Sequence, residues 1–163
     1  MSKIFISYNP NEPNEQSIAL RLQTLSSIYG VEILLPDRYG ANYLKASTQE
    51  RIGQSDLFIL FSTRNITQMV LEEVNWALGR GKKVLIIYDK HIGKNLTTPQ
   101  GVIEIEFDPY QDSPDGVLQT ILDRAGIPRT SQAHKQTNEQ AAIAGLLLLG
   151  LGLIILGAVS SKK

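Results

Sequence analysis

Two adjacent glutamates, Glu72 and Glu73, follow a short apolar run at 57–61 that is closed by Ser62. Stepping 100° per residue from Val70, the side chains of Ile66, Val70, Val74, Ala77 and Leu78 share one broad stripe, the pattern of an amphipathic helix over 67–78. Glu73 falls on the border of that stripe and Glu72 on the far side. The spacing therefore predicts a solvated Glu72 and a half-buried Glu73 above the end of the preceding strand. A carboxylate held there is costly unless it is paired, and its proton affinity is open to tuning. Composition narrows the other chemistry. The chain has no cysteine, so thiolate nucleophiles, disulfides and Cys-based zinc sites drop out. Its 2 histidines, His91 and His134, are far apart in sequence, so no His-rich metal site and no prosthetic group is expected. Lys and Arg number 16 against 16 Asp and Glu, which argues against a nucleic-acid partner.

The elements that would position Glu73 follow from apolar patterning. Residues 3–8, 31–35, 57–61 and 84–88 read as buried strands rich in β-branched and aromatic side chains. Residues 102–107 alternate apolar and charged, which suits an edge strand with one wet face. Helical spacing marks 15–29, 44–55, 67–78 and 114–125, with Gly30 and Gly126 as stop signals. Residues 90–100 read as a loop or a poorly formed helix. Strand and helix alternate through about 125 residues, the signature of a parallel sheet covered on both faces. In such a sheet ligands bind at the carboxyl ends of the strands. The polar loops 9–14 and 36–42 and the segment 62–67 emerge at that edge.

The C-terminal part differs. Residues 128–140 are polar and without apolar period, a linker. Residues 141–159 form an uncharged run of 19 residues rich in Leu, Ile, Gly and Ala. As a helix it spans roughly 28 Å, close to the hydrocarbon thickness of a bilayer. A single membrane-spanning anchor is expected there, followed by a short tail at 160–163. Ala141, Gly145 and Gly152 fall on one stripe, which favours close helix–helix approach and self-association in the membrane. The N-terminus has too short an apolar run for a signal peptide, so the globular part, 1–127, is expected on the cytoplasmic side.

Several of these residues stand in an order that resembles a known family. Phe5-Ile6-Ser7-Tyr8 resembles the F-I-S-Y opening of bacterial TIR (Toll/interleukin-1 receptor homology) domains. Ser55-Asp56, the apolar run and Ser62 resemble the family's third strand with its flanks. Thr67, Met69, Val70, Glu73 and Val74 resemble its S-x-W-C-x-x-E-L helix, and residues 82–87 the strand that follows. The resemblance covers about residues 1–126. It implies a flavodoxin-like sheet in the order 2-1-3-4-5. It also implies cleavage of NAD between nicotinamide and ribose, by hydrolysis or by cyclisation of the ADP-ribose, as substrate rather than cofactor, with Glu73 as the catalytic glutamate. Met69 stands where the family has tryptophan, and Val70 where it has a small residue. The family's cleft is flanked by the loops that here carry Tyr8, Asn9, Asp37 and Arg38.

N-glycosidic cleavage passes through a positively charged, oxocarbenium-like sugar, which one well-placed carboxylate stabilises. Nicotinamide leaves from a cationic ring, so no strong general acid is needed. Glu73 is the expected catalytic residue. Ser7, Tyr8, Asn9, Asp37, Arg38, Ser62 and Met69 are the expected substrate contacts, with Arg38 and Arg64 suited to phosphate. The expected protein is thus a membrane-anchored NAD nucleosidase of bacterial antiviral defence, activated by clustering through its TIR-like domain. Two rival expectations remain: a non-catalytic scaffold acting by homotypic association at the membrane, and an enzyme like the nucleoside deoxyribosyltransferases.

Overall fold

A computed structural model describes residues 1–39, 43–62, 66–93 and 101–128. Five strands form one sheet: β1 (Ser2–Ser7), β2 (Val31–Leu34), β3 (Leu57–Ser62), β4 (Lys83–Asp89) and β5 (Ile103–Phe107). All pairs are parallel and the order is β2-β1-β3-β4-β5. Among the described residues the α-helices are α1 (Pro13–Ser26), α2 (Ala46–Gln54), α3 (Gln68–Gly79) and α4 (Pro114–Ala125). The flavodoxin-like α/β fold and its strand order are therefore as expected. The expected anchor at 141–159 and nearly all of the linker lie outside the described residues. Among the described residues no helix is long and apolar enough to cross a membrane.

Pleating sorts the sheet residues between two layers. Phe5, Phe58, Leu60, Val84 and Ile86 pack against Ile52 of α2 and Val70, Val74 and Ala77 of α3. The Phe5 and Phe58 rings stack with centroids 5.4 Å apart. The alternate residues Ile4, Ile6, Ile59, Phe61, Leu85 and Ile87 are equally buried. They face α1 and α4, which touch each other and contribute Ala19, Leu22, Leu118, Ile121 and Leu122. Both sheet faces are thus apolar, which is why the central strands read as continuous runs.

Element ends depart from expectation for local reasons. α1 begins at Pro13, two residues before the expected start, because proline's fixed φ suits the first helical turn. Its end tightens into a 3-10 turn, Ser27–Tyr29, and stops at Gly30, whose φ of 68° is left-handed. α2 begins at Ala46, not 44, since Lys45 is extended. The Thr67 hydroxyl accepts the Val70 N–H at 3.4 Å and caps α3. Thr67→Ala is expected to lower stability by about 1 kcal/mol, measured by urea denaturation. β5 is an edge strand with Glu106 exposed between the buried Ile105 and Phe107, as its alternation predicted. At the other edge, Gln23 donates to the Ile33 carbonyl (3.0 Å) and Arg51 to that of Leu35 (2.6 Å). Those side chains occupy backbone acceptors that another strand would otherwise use.

The chain leaves β1 in one direction to reach β2, then crosses back to β3 and continues outward to β4 and β5. The reversal lies between β1 and β3, and the carboxyl ends of these strands are the binding edge of such a fold.

Candidate active site

Ser7 ends β1 and Ser62 ends β3. Each lies two residues beyond a side chain of the α2–α3 layer, Phe5 and Leu60, so both point to the same side of the sheet. Glu73 stands in α3 between Val70 and Ala77, three residues after one and four before the other. That spacing keeps it over the sheet. The residue is 1% exposed, more deeply buried than the half-buried position expected from its place on the stripe. Glu72, expected to be solvated, is only partly exposed.

The extra cover comes from the loop after β2. Arg38 reaches back from it and its Nη2 donates to Glu73 Oε2 at 3.0 Å and to the Tyr8 carbonyl oxygen at 2.7 Å. Its guanidinium lies over the Tyr8 ring, 5.1 Å from the centroid. The Ser7 hydroxyl donates to the same Glu73 oxygen in a short hydrogen bond. Two of the expected residues, Ser7 and Arg38, therefore converge on the expected catalytic carboxylate of Glu73, and a third, Tyr8, holds Arg38. Arg38 Nε and Nη1 and Ser62 Oγ are buried with no hydrogen-bond partner among the described residues. Such donors are costly to leave unmet, and an oxygen-rich ligand would satisfy them.

The remaining expected residues take other places. Asn9 is buried at the exit of β1, its N–H donating to Glu15 Oε2 at 2.6 Å and its Oδ1 accepting from Asn11 N–H at 2.9 Å. Asp37 Oδ1 and Oδ2 accept from Lys45 (3.0 Å) and Ser47 (2.9 Å), which ties the loop to the start of α2. Met69 is partly buried one turn before Glu73. Arg64 lies outside the described residues.

Glu15 is a buried carboxylate that sequence reasoning missed. Its place offered a signal, because the third residue of a helix opening with proline commonly turns its carboxylate back onto the N–H groups before the helix.

Burial raises the Glu73 carboxyl from its ordinary 4.5 to about 7, against the pull of the Arg38 charge and the Ser7 hydrogen bond and with a push from Glu72. Burial lowers the Arg38 pKa, opposed by Glu73, Tyr8 and Glu15. Burial also raises the Tyr8 phenol. Lys45 and Ser47 lower the Asp37 carboxyl. Glu73, at the sheet's switch point, is thus able to change charge near neutral pH. A carboxylate of this kind can stabilise a developing positive charge, act as a base, or attack an electrophilic carbon. Among the described residues no group of carboxylates and imidazoles is arranged to hold a metal ion.

No family model and no curated protein sequence matches the chain. Solved structures do. A 2-deoxyribosyltransferase from Bacillus psychrosaccharolyticus superposes with a TM-score of 0.53 at 16% identity, covering 79% of this chain and 98% of its own. The sugar isomerase domain of an RpiR transcription factor from Sphaerobacter thermophilus gives 0.52 at 13% identity, covering 86% and 78%. A CMP N-glycosidase from Clostridium botulinum gives 0.49 at 16%, covering 74% and 98%. At these identities the likeness to the first two establishes a shared α/β fold and nothing finer.

Proposed function

We propose that the chain is a TIR-like NAD nucleosidase that cleaves the bond between nicotinamide and ribose, anchored to a membrane by 141–159 with its globular domain in the cytosol. One observation carries this reading. The glutamate that the TIR resemblance makes catalytic is a buried carboxylate with a pKa of about 7, held by Ser7 and Arg38 at the carboxyl end of the sheet. Its ionised form would face the ribose and stabilise the positive charge that builds there as nicotinamide leaves. The buried, unpaired donors of Arg38 and Ser62 suit a ligand dense in oxygen acceptors, as a dinucleotide is. The fold shared with a 2-deoxyribosyltransferase supports the sugar–base bond as the target class. Clustering at the membrane would switch the enzyme on in antiviral defence.

The test is release of nicotinamide from NAD by the full chain clustered on liposomes, followed by chromatography, with 2′-deoxynucleosides as a parallel substrate set. Nicotinamide release supports the NAD reading, and base release from the deoxynucleosides alone would replace it. Because the ionised carboxylate is the working form, kcat/KM should rise with pH through about 7 and level off above it. Removing 141–163 should move the protein from the membrane to the soluble fraction. A protein that stays soluble with the segment present would remove the anchor from the account.

The same ion pair favours one rival, a non-catalytic scaffold. An Arg38–Glu73 clasp shapes the loop after β2 whether or not any bond is cut. That reading predicts no base release from either substrate set and weaker self-association in Glu73→Ala.

A further inference from the structure

Ser7 and Arg38 were both expected to touch substrate, yet their polar contacts run to Glu73. The Ser7 hydroxyl and Arg38 Nη2 converge on the same atom, Oε2. Among the described residues no donor reaches Oε1. Arg38 Nη2 has two N–H groups, and the second goes to the Tyr8 carbonyl, so that nitrogen is fully committed to protein. Tyr8 also supports the guanidinium from below through its ring. Ser7 is fixed as the last residue of a central strand, paired in register with Leu60. The two donors therefore approach from different elements, one from the sheet and one from the loop after β2. A carboxylate gripped at one oxygen from two directions has little freedom to rotate.

We propose that Ser7 and Arg38 are positioning residues, which hold the Glu73 carboxylate by Oε2 and turn Oε1 toward the sugar. This assignment rests on the nucleosidase reading for the identity of the sugar but not for the grip itself. It divides the carboxylate's labour between an anchored oxygen and a working one. It also leaves Arg38 Nη2 no hydrogen to offer a phosphate, so any phosphate contact falls to its Nε and Nη1.

The experiment uses the full chain in detergent micelles, with glutamate labelled by ¹³C at the side-chain carboxyl, and Glu73 assigned by the signal missing in Glu73→Gln. Wild type should titrate near 7. Ser7→Ala and Arg38→Gln should each move that midpoint upward, and Arg38→Lys should leave it near wild type. With NAD as substrate, Ser7→Ala should lower kcat about tenfold to a hundredfold, the effect of losing one hydrogen bond to a charged group, with KM within about twofold. Midpoints unchanged in both Ser7→Ala and Arg38→Gln would overturn the assignment. So would a raised KM at constant kcat, which is the mark of a substrate ligand. If the midpoints move but wild type releases no base, the positioning holds and the nucleosidase reading falls. If wild type releases base and the midpoints stay, the reverse is true.

Discussion

Glu73→Gln is expected to end base release and, as pH rises, to gain stability relative to wild type. The loss of activity follows from removing the only charge in the proposed mechanism able to meet a cationic sugar, and should be on the order of a thousandfold or more. The stability effect follows from the direction of the pKa shift. The folded protein raises the Glu73 carboxyl from 4.5 to about 7, so the native state binds more protons than the unfolded chain between those values. Stability contributed by the protonated form is complete below about 4.5, declines as pH rises, and is gone above about 7. Glutamine does not ionise and escapes that decline. The stability difference between variant and wild type should therefore grow in the variant's favour by about 3 kcal/mol between pH 4.5 and 8, as an upper figure. Denaturant melts of both proteins at the two pH values check this, and a pH-independent difference would contradict it. The burial that raises the Glu73 carboxyl is then also a cost to the fold.

The second large effect lies away from the site. Phe58→Ala is expected to cost about 3–5 kcal/mol, much of the stability of a domain this size. Phe58 is fully buried, sits on the central strand β3 between Phe5 of β1 and Val84 of β4, and stacks on the Phe5 ring. Its removal opens a cavity under α2 and α3 that rigid strands cannot close. Tyr39→Ala, at a side chain 92% exposed, should change stability by no more than about 0.5 kcal/mol. Urea denaturation of the two variants gives the comparison.

The fold was legible because its signals are local. A continuous apolar run such as 57–61 suits a short strand covered on both faces, and Gly30 and Gly126 mark helix ends through their left-handed backbone. The charged alternation of Ile103–Phe107 named an edge strand. The stripe through Val70, Val74 and Ala77 carries Glu73 on its border, at the edge of the face that covers the sheet. What remained hidden is long-range. The depth of Glu73 depends on Arg38, 35 positions earlier, and on Ser7, 66 positions earlier. No helical or strand period records how the loop after β2 folds back across the end of β1. The same holds for Asp37, whose carboxylate accepts from Lys45 and Ser47 at the start of α2. Glu15 was partly legible as a third-position helix glutamate, but its burial depends on the turn at Asn9.

The sharpest test sets two neighbouring residues against each other. Glu72 and Glu73 share a helix turn, a carboxyl group and a side-chain length, and they differ in burial and in their contacts with Ser7 and Arg38. Nicotinamide release from NAD should be measured for wild type, Glu72→Ala and Glu73→Ala, each clustered on liposomes. The account predicts near-normal release for Glu72→Ala and none above background for Glu73→Ala. Equal effects of the two substitutions, or no release by wild type under these conditions, would contradict it.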